Sequence, residues 1–211
     1  MEILDIDTQC PRPDAIARAA ALARRGVPVA FPTDTVYGLG VAVLPQGSPD
    51  ALFALKQRDP AKAVPWLVDG IGALEEYGEK VPAYAFELAR AHWPGALTLV
   101  VRASCAAPPR FVARDGSLAL RASAHPVPRA LVRALQAPLA TTSANLQGGE
   151  AALERSGFDP VLAERLALML DGGPTPGDQP STIVSCLGAE PRILRSGALL
   201  LHCSHERAEG T

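Results

Sequence analysis

The chain is predicted to fold as an α/β protein, a sheet with helices on its faces, on three observations. Helix-like and strand-like stretches alternate from residue 13 to residue 195. Apolar residues fill 48% of 211 positions, enough to bury a full core. Proline and glycine punctuate the periodic stretches, so most elements carry their own stop signals.

The elements follow in order. Asp14 through Arg25 places alanine and leucine at helical spacing, follows Pro13 and stops at Gly26 in the C′ position. VPVAF (27–31) reads as a buried strand closed by Pro32. Gly38 and Gly40 lack the third glycine of a dinucleotide fingerprint and read as turns or points of close backbone approach. A helix is expected from Pro49 to about Arg58, and PWLV (65–68) reads as a strand. Pro82 to Trp93 reads as a helix terminated by Pro94 and Gly95. LTLVVR (97–102) and SLALR (117–121) read as strands, Pro126 to Gln136 as a helix, and PLATT (138–142) as a strand entering the turn SANLQGG. A helix over 159–166 and the strands STIV (181–184) and RILR (192–195) complete the set. The cluster GGPTPGDQP (172–180) reads as a site loop rather than a linker, so one domain is expected over 1–211, with a core of about 13–200 and a polar tail over 202–211.

The net charge of −2 supplies no global field toward nucleic acid or an anionic membrane. MEILDIDTQC has no apolar signal region, and no apolar run is long enough to span a bilayer. Four scattered cysteines without a CxxC pair fit a reducing compartment, so a cytoplasmic location is expected.

Polar residues cluster after the apolar runs, where ligands sit in α/β sheets. Thr33, Asp34 and Thr35 follow the first strand; Arg121 and His125 follow SLALR; Thr141, Thr142, Ser143 and Asn145 close PLATT and its turn. Ser181 precedes STIV, and Arg195 ends RILR. Singly, each suits a cap or an Asx or ST turn. Together they are expected to converge on one edge of the sheet. Two of the chain's three lysines, Lys56 and Lys62, flank Arg58 in the window KQRDPAK and add a compact cationic patch.

There is no Ser-His-Asp or Cys-His arrangement at motif spacing and no Walker A sequence. HCSH (202–205) sits in the polar tail without a second ligand pair, and His92 and His125 stand alone. Fixed cations with hydroxyl and amide groups, and no acid/base pair, suit phosphoryl or nucleotidyl transfer, where positioning and charge stabilisation carry the catalysis. No protein metal site is expected; Mg²⁺ would arrive with the nucleotide's phosphates.

FPTDTVYGLG, the KxR of Lys56-Gln57-Arg58, WPGALTLV, LALR followed by HP, TTSAN, PSTIV and RILRSGAL come in one order. In that order they resemble the YrdC/Sua5 family over about residues 13 to 200, in its short single-domain form. The resemblance implies a twisted mixed α/β sheet flanked by helices, with a concave basic cleft. It implies an L-threonylcarbamoyladenylate synthase, a nucleotidyltransferase that forms threonylcarbamoyl-AMP and pyrophosphate from L-threonine, bicarbonate or CO₂, and ATP. The product serves tRNA threonylcarbamoyladenosine formation next to the anticodon, so hand-over to a tRNA threonylcarbamoyl transferase is implied.

Carried over by motif, Thr35, Arg121, Thr141 and Ser181 would hold threonine, with Arg121 on its carboxylate. Arg58, Lys62, Ser117, Ser143 and Arg195 would hold ATP, with Lys56 in the same patch. Lys56, Arg58 and Lys62 would neutralise the departing pyrophosphate, and Asn145 would touch the nucleotide or brace the loop. Two positions depart from the family pattern. Leu67 stands where some members place a histidine that contributes to threonine binding, and the proline common after KxR comes one residue late, as Pro60 behind Asp59. The alternative is a noncatalytic module binding double-stranded RNA or tRNA; the net charge and an aromatic content of 5% leave any RNA contact weak.

Overall fold

The computed structural model describes residues 1–56 and 64–201. The strands are β1 (Glu2–Asp5), β2 (Val29–Phe31), β3 (Gly38–Ala42), β4 (Trp66–Leu67), β5 (Leu97–Arg102), β6 (Ser117–Arg121), β7 (Leu139–Ser143), β8 (Leu168–Asp171), β9 (Thr182–Ser185) and β10 (Arg192–Arg195). The helices are α1 (Pro13–Arg24), α2 (Asp50–Lys56), α3 (Gly72–Tyr77), α4 (Ala83–His92), α5 (Pro126–Leu135) and α6 (Pro160–Arg165).

All these strands join one mixed sheet in the order β1-β8-β2-β3-β7-β4-β6-β5-β9-β10. The pairs β1–β8, β2–β8, β4–β6 and β5–β9 are parallel, and the remaining neighbours run antiparallel. The expected α/β architecture is therefore the observed one.

Local chemistry accounts for the boundaries. Pro13 opens α1, Arg25 caps it, and Gly26 takes φ +73° just beyond, the left-handed turn a glycine makes without cost. Asp159 accepts from the backbone N–H groups of Val161 and Leu162 and starts α6. Trp93 leaves α4 in an extended conformation, as the residue before a proline must.

Sequence reading misplaced or missed several elements. Gly38 and Gly40 are not turn residues: they lie in β3, a fully buried central strand. They are points of close approach, since a Cβ on Gly40 would meet Leu139 Cγ at 2.9 Å and Phe31 Cε1 at 3.0 Å. The strands β1 and β8 pair with each other, and both escaped notice, as did the single-turn α3. β7 runs one residue further than expected, keeping Ser143 in the sheet.

Two apolar layers sandwich the sheet. On one face Leu97, Leu99, Leu118, Leu120 and Val184 pack with residues of α2, α3, α4 and α6. On the other, α1 and α5 bury Val29, Phe31, Leu139, Leu168 and Leu170. That second layer covers only part of its face. Over β5, β6 and β9 the alternate residues on that side line an open cavity.

Candidate active site

The cavity, about 450 Å³, is floored by alternate residues of the sheet. Thr98 and Val100 come from β5, Ser117, Ala119 and Arg121 from β6, Thr141 and Ser143 from β7, and Ile183 and Ser185 from β9. The convergence foreseen for one sheet edge therefore takes place across a face. The reason is the strand period of two: SLALR sends Leu118 and Leu120 into the core and Ser117 and Arg121 to the opposite side. Two roomier hollows, about 590 and 570 Å³, lie beside α3 and between α1 and α5, and among the described residues neither is lined by a buried charged side chain.

Thr35, Ser117, Arg121, Thr141, Ser143, Ser181 and Arg195 all line this one cavity. Lys56 and Asn145 stand directly behind Ser143. Lys56 Nζ donates to the Ser143 carbonyl oxygen at 2.6 Å, to Ser143 Oγ at 3.2 Å and to Asn145 Oδ1 at 2.8 Å. Asn145 Nδ2 in turn donates to the carbonyls of Leu146 and Gly149, so it braces the turn. Arg58 and Lys62 lie outside the described residues, as do Asp59 and Pro60. The tail with HCSH does too.

Arg121 is the centre of charge. Only 7% exposed, it donates from Nε to the Gly95 carbonyl at 3.0 Å and from Nη1 to Thr35 Oγ1 at 3.1 Å. Its Nη2 is 2.8 Å from Asp34 Oδ1 in a buried ion pair. A guanidinium nitrogen carries two N–H groups, so one such contact leaves Nη2 a second donor for an anionic ligand. Arg195 donates from Nε and Nη2 to the Ser181 carbonyl oxygen at 3.1 and 2.7 Å. Burial and then the charge of Arg121 lower its pKa, and with Arg192 the described lining holds three guanidiniums. Asp115 is the one carboxylate among the described lining residues.

The hydroxyls have most of their protons assigned. Thr33 Oγ1 donates to the Val36 carbonyl at 2.7 Å, so in the 3.0 Å contact between Thr33 and Thr35 the donor must be Thr35. Thr141 Oγ1 donates to the Leu139 carbonyl at 2.9 Å, Ser117 Oγ to Asp115 Oδ1 at 2.6 Å and Ser143 Oγ to Asn145 Oδ1 at 2.6 Å. With those protons committed, the hydroxyls present lone pairs, suited to amine and hydroxyl protons of a ligand, and leave anions to the guanidiniums.

Of loop 172–180, read from its composition as a site loop, Pro180 lines the cavity. The loop packs closely on the chain before β3, where a Cβ on Gly177 would lie 2.8 Å from the Asp34 carbonyl oxygen. Thr98, Asp115 and Arg192 went unremarked in the sequence. Thr98 was legible as the polar residue between Leu97 and Leu99, and its Oγ1 lies 2.8 Å from Ser181 Oγ. Leu67 also lines the cavity.

Residues 21–197 match the family model Sua5_yciO_yrdC, described as telomere recombination. The chain is 36% identical over 185 residues to the threonylcarbamoyl-AMP synthase of Bacillus subtilis, covering 87% of itself and 54% of that protein. It is 39% identical over 163 residues to that of Xanthomonas campestris, covering 76% of itself and 86% of the relative. The chain thus spans about half the length of the B. subtilis relative and most of the Xanthomonas one. The crystal structure of Pyrococcus abyssi Sua5 complexed with L-threonine superposes with a TM-score of 0.85 at 30% identity, over 94% of this chain and 58% of that one. Escherichia coli YciO shares the fold, with a TM-score of 0.81 at 24% identity over 94% of this chain and 97% of its own.

Proposed function

The chain belongs to the Sua5/YciO/YrdC family, and we propose that it is an L-threonylcarbamoyladenylate synthase. It would join L-threonine, bicarbonate or CO₂, and ATP into threonylcarbamoyl-AMP with release of pyrophosphate. The observation that carries this reading is Arg121, a buried guanidinium in a cavity lined by Thr35, Thr141 and Ser181. A free α-amino acid offers the complementary set: a carboxylate for the guanidinium, with amine and hydroxyl protons for the lone pairs of Thr35 and Thr141.

In this reading ATP takes Ser117, Ser143 and Arg195 from the lining of the same cavity, with Lys56 behind and Arg58 and Lys62 supplying further charge. A carbamate oxygen of the carboxylated threonine attacks the α-phosphorus, that P–O bond forms, and the bond to the β-phosphate bridge breaks. The cations stabilise charge building on the departing pyrophosphate, the kind of electrostatic assistance that lowers a phosphoryl-transfer barrier. Mg²⁺ would be held mainly by the triphosphate, since the lining is dominated by arginines and hydroxyls. The product would pass to a transferase acting on tRNA, with a cytoplasmic location.

The test is pyrophosphate release by the purified chain with ATP and Mg²⁺, omitting L-threonine and bicarbonate in turn. Release that needs both is the expected result. Release indifferent to either, or none from folded protein, would overturn the proposal and turn attention to RNA binding and its salt dependence.

A further inference from the structure

Asp34 is a carboxylate that the proposed reaction leaves unused. It does not line the cavity, yet its side chain is only 14% exposed. A carboxylate so placed is costly unless it is paired. It is paired from two sides: Arg121 Nη2 lies 2.8 Å from Oδ1, and Ser123 Oγ donates to the same oxygen. Ser123 is itself held, accepting from the backbone N–H of His125 at 3.2 Å. Burial alone would raise the Asp34 pKa; the charge of Arg121 and the Ser123 hydroxyl outweigh it and hold the carboxyl below its ordinary range.

From this chain of contacts we infer that Asp34 is the positioning residue of Arg121, with Ser123 as its support. The guanidinium is then located at three corners: Nε on the Gly95 carbonyl, Nη1 on Thr35 and Nη2 beside Asp34. The last corner locates without exhausting the nitrogen, because Nη2 carries two N–H groups and the Asp34 contact engages one side of it. The inference rests on the proposal that Arg121 receives the amino-acid carboxylate.

Positioning and simple electrostatics predict opposite outcomes. Replacing Asp34 by asparagine keeps its shape and adds one net positive charge beside the anion site. A purely coulombic role would then tighten carboxylate binding. A positioning role would weaken it roughly ten- to a hundredfold as the guanidinium loses its anchor.

The experiment titrates L-threonine and, separately, ATP into the full chain, its Asp34→Asn variant and its Ser123→Ala variant, by calorimetry. Expected are weakened L-threonine binding in D34N, a loss of roughly two- to tenfold in S123A, and unchanged ATP affinity in both. Equal or tighter L-threonine binding in D34N would overturn the inference, as would a parallel loss of ATP binding. If D34N does not fold, S123A decides: undiminished L-threonine binding there overturns it. A wild-type chain that takes up no L-threonine would instead remove the reading beneath it.

Discussion

Lys56 Nζ lies 2.8 Å from Asn145 Oδ1, tying the last residue of α2 to the turn after β7. Lys56 is 4% exposed, and its ammonium also donates to the carbonyl and hydroxyl oxygens of Ser143. One side chain thus serves both the fold and the charge of the cavity wall.

Lys56→Met is accordingly expected to cost stability as well as activity. It leaves Ser143 and Asn145 oxygens with fewer donors, a loss of about 1.5–3 kcal/mol for bonds to a charged group. Urea unfolding measures it. A variant with unaltered stability and abolished turnover would show that Lys56 acts on the ligand alone.

Arg195→Lys is expected to weaken ATP binding about tenfold, because lysine cannot reproduce a planar fork. The fork here reaches Ser181 through both Nε and Nη2. L-threonine binding should change less, since Ser181 is placed by the backbone entering β9. Separate titrations of the two ligands check this, and equal losses would refute the division of the cavity.

Gly40→Ala places a methyl 2.9 Å from Leu139 Cγ and 3.0 Å from Phe31 Cε1. Overpacking of this kind costs about 1–3 kcal/mol. Gly38→Ala meets Phe31 Cε2 and Thr141 Cγ2, both at 3.1 Å. Because Thr141 belongs to the cavity, G38A should weaken L-threonine binding beyond its effect on the thermal midpoint, whereas G40A should not.

The helix start at His125 predicts a pH dependence. His125 Nδ1 accepts from the Val127 N–H at 3.2 Å, which requires the neutral ring with its proton on Nε2. Burial lowers its pKa from 6.5, against an opposing pull from Asp34. The unfolded chain therefore binds the proton first as pH falls. Stability from this group is complete above 6.5 and declines below it until the folded pKa is reached. Asparagine caps a helix without titrating, so the thermal midpoint of His125→Asn should fall less than that of the wild type between about pH 7 and pH 5. Identical declines would exclude the histidine as their source.

Much of this site could be read from residues alone, because motifs such as LALR and PSTIV carry both the strand pattern and the polar residue that ends or begins it. Thr35, Arg121, Thr141, Ser143, Ser181 and Arg195 do line one cavity. Less legible was what depends on pairing between distant strands. β1 and β8 stabilise each other across the chain, and neither Glu2–Asp5 nor Leu168–Asp171 carries a local signal strong enough alone. β3 escaped for the opposite reason: its glycines look like turn residues, and only the neighbouring Phe31 and Leu139 side chains show why nothing larger fits. Proton direction was also beyond sequence, since whether Thr35 gives or receives depends on Thr33 and the Val36 carbonyl.

The sheet order has a consequence for biosynthesis. The cavity draws on β3, β4, β7, β6, β5, β9 and β10, so its lining is contributed by residues spread from Thr33 to Arg195. A nascent chain that stops short of β9 can already pack α1 and α5 on β2, β3 and β7, but it holds neither Ser181 nor Arg195. Ligands that need both can bind only after the last strands dock beside β5. Their binding energy then favours the sheet with β9 and β10 in place over any form in which those strands have not docked.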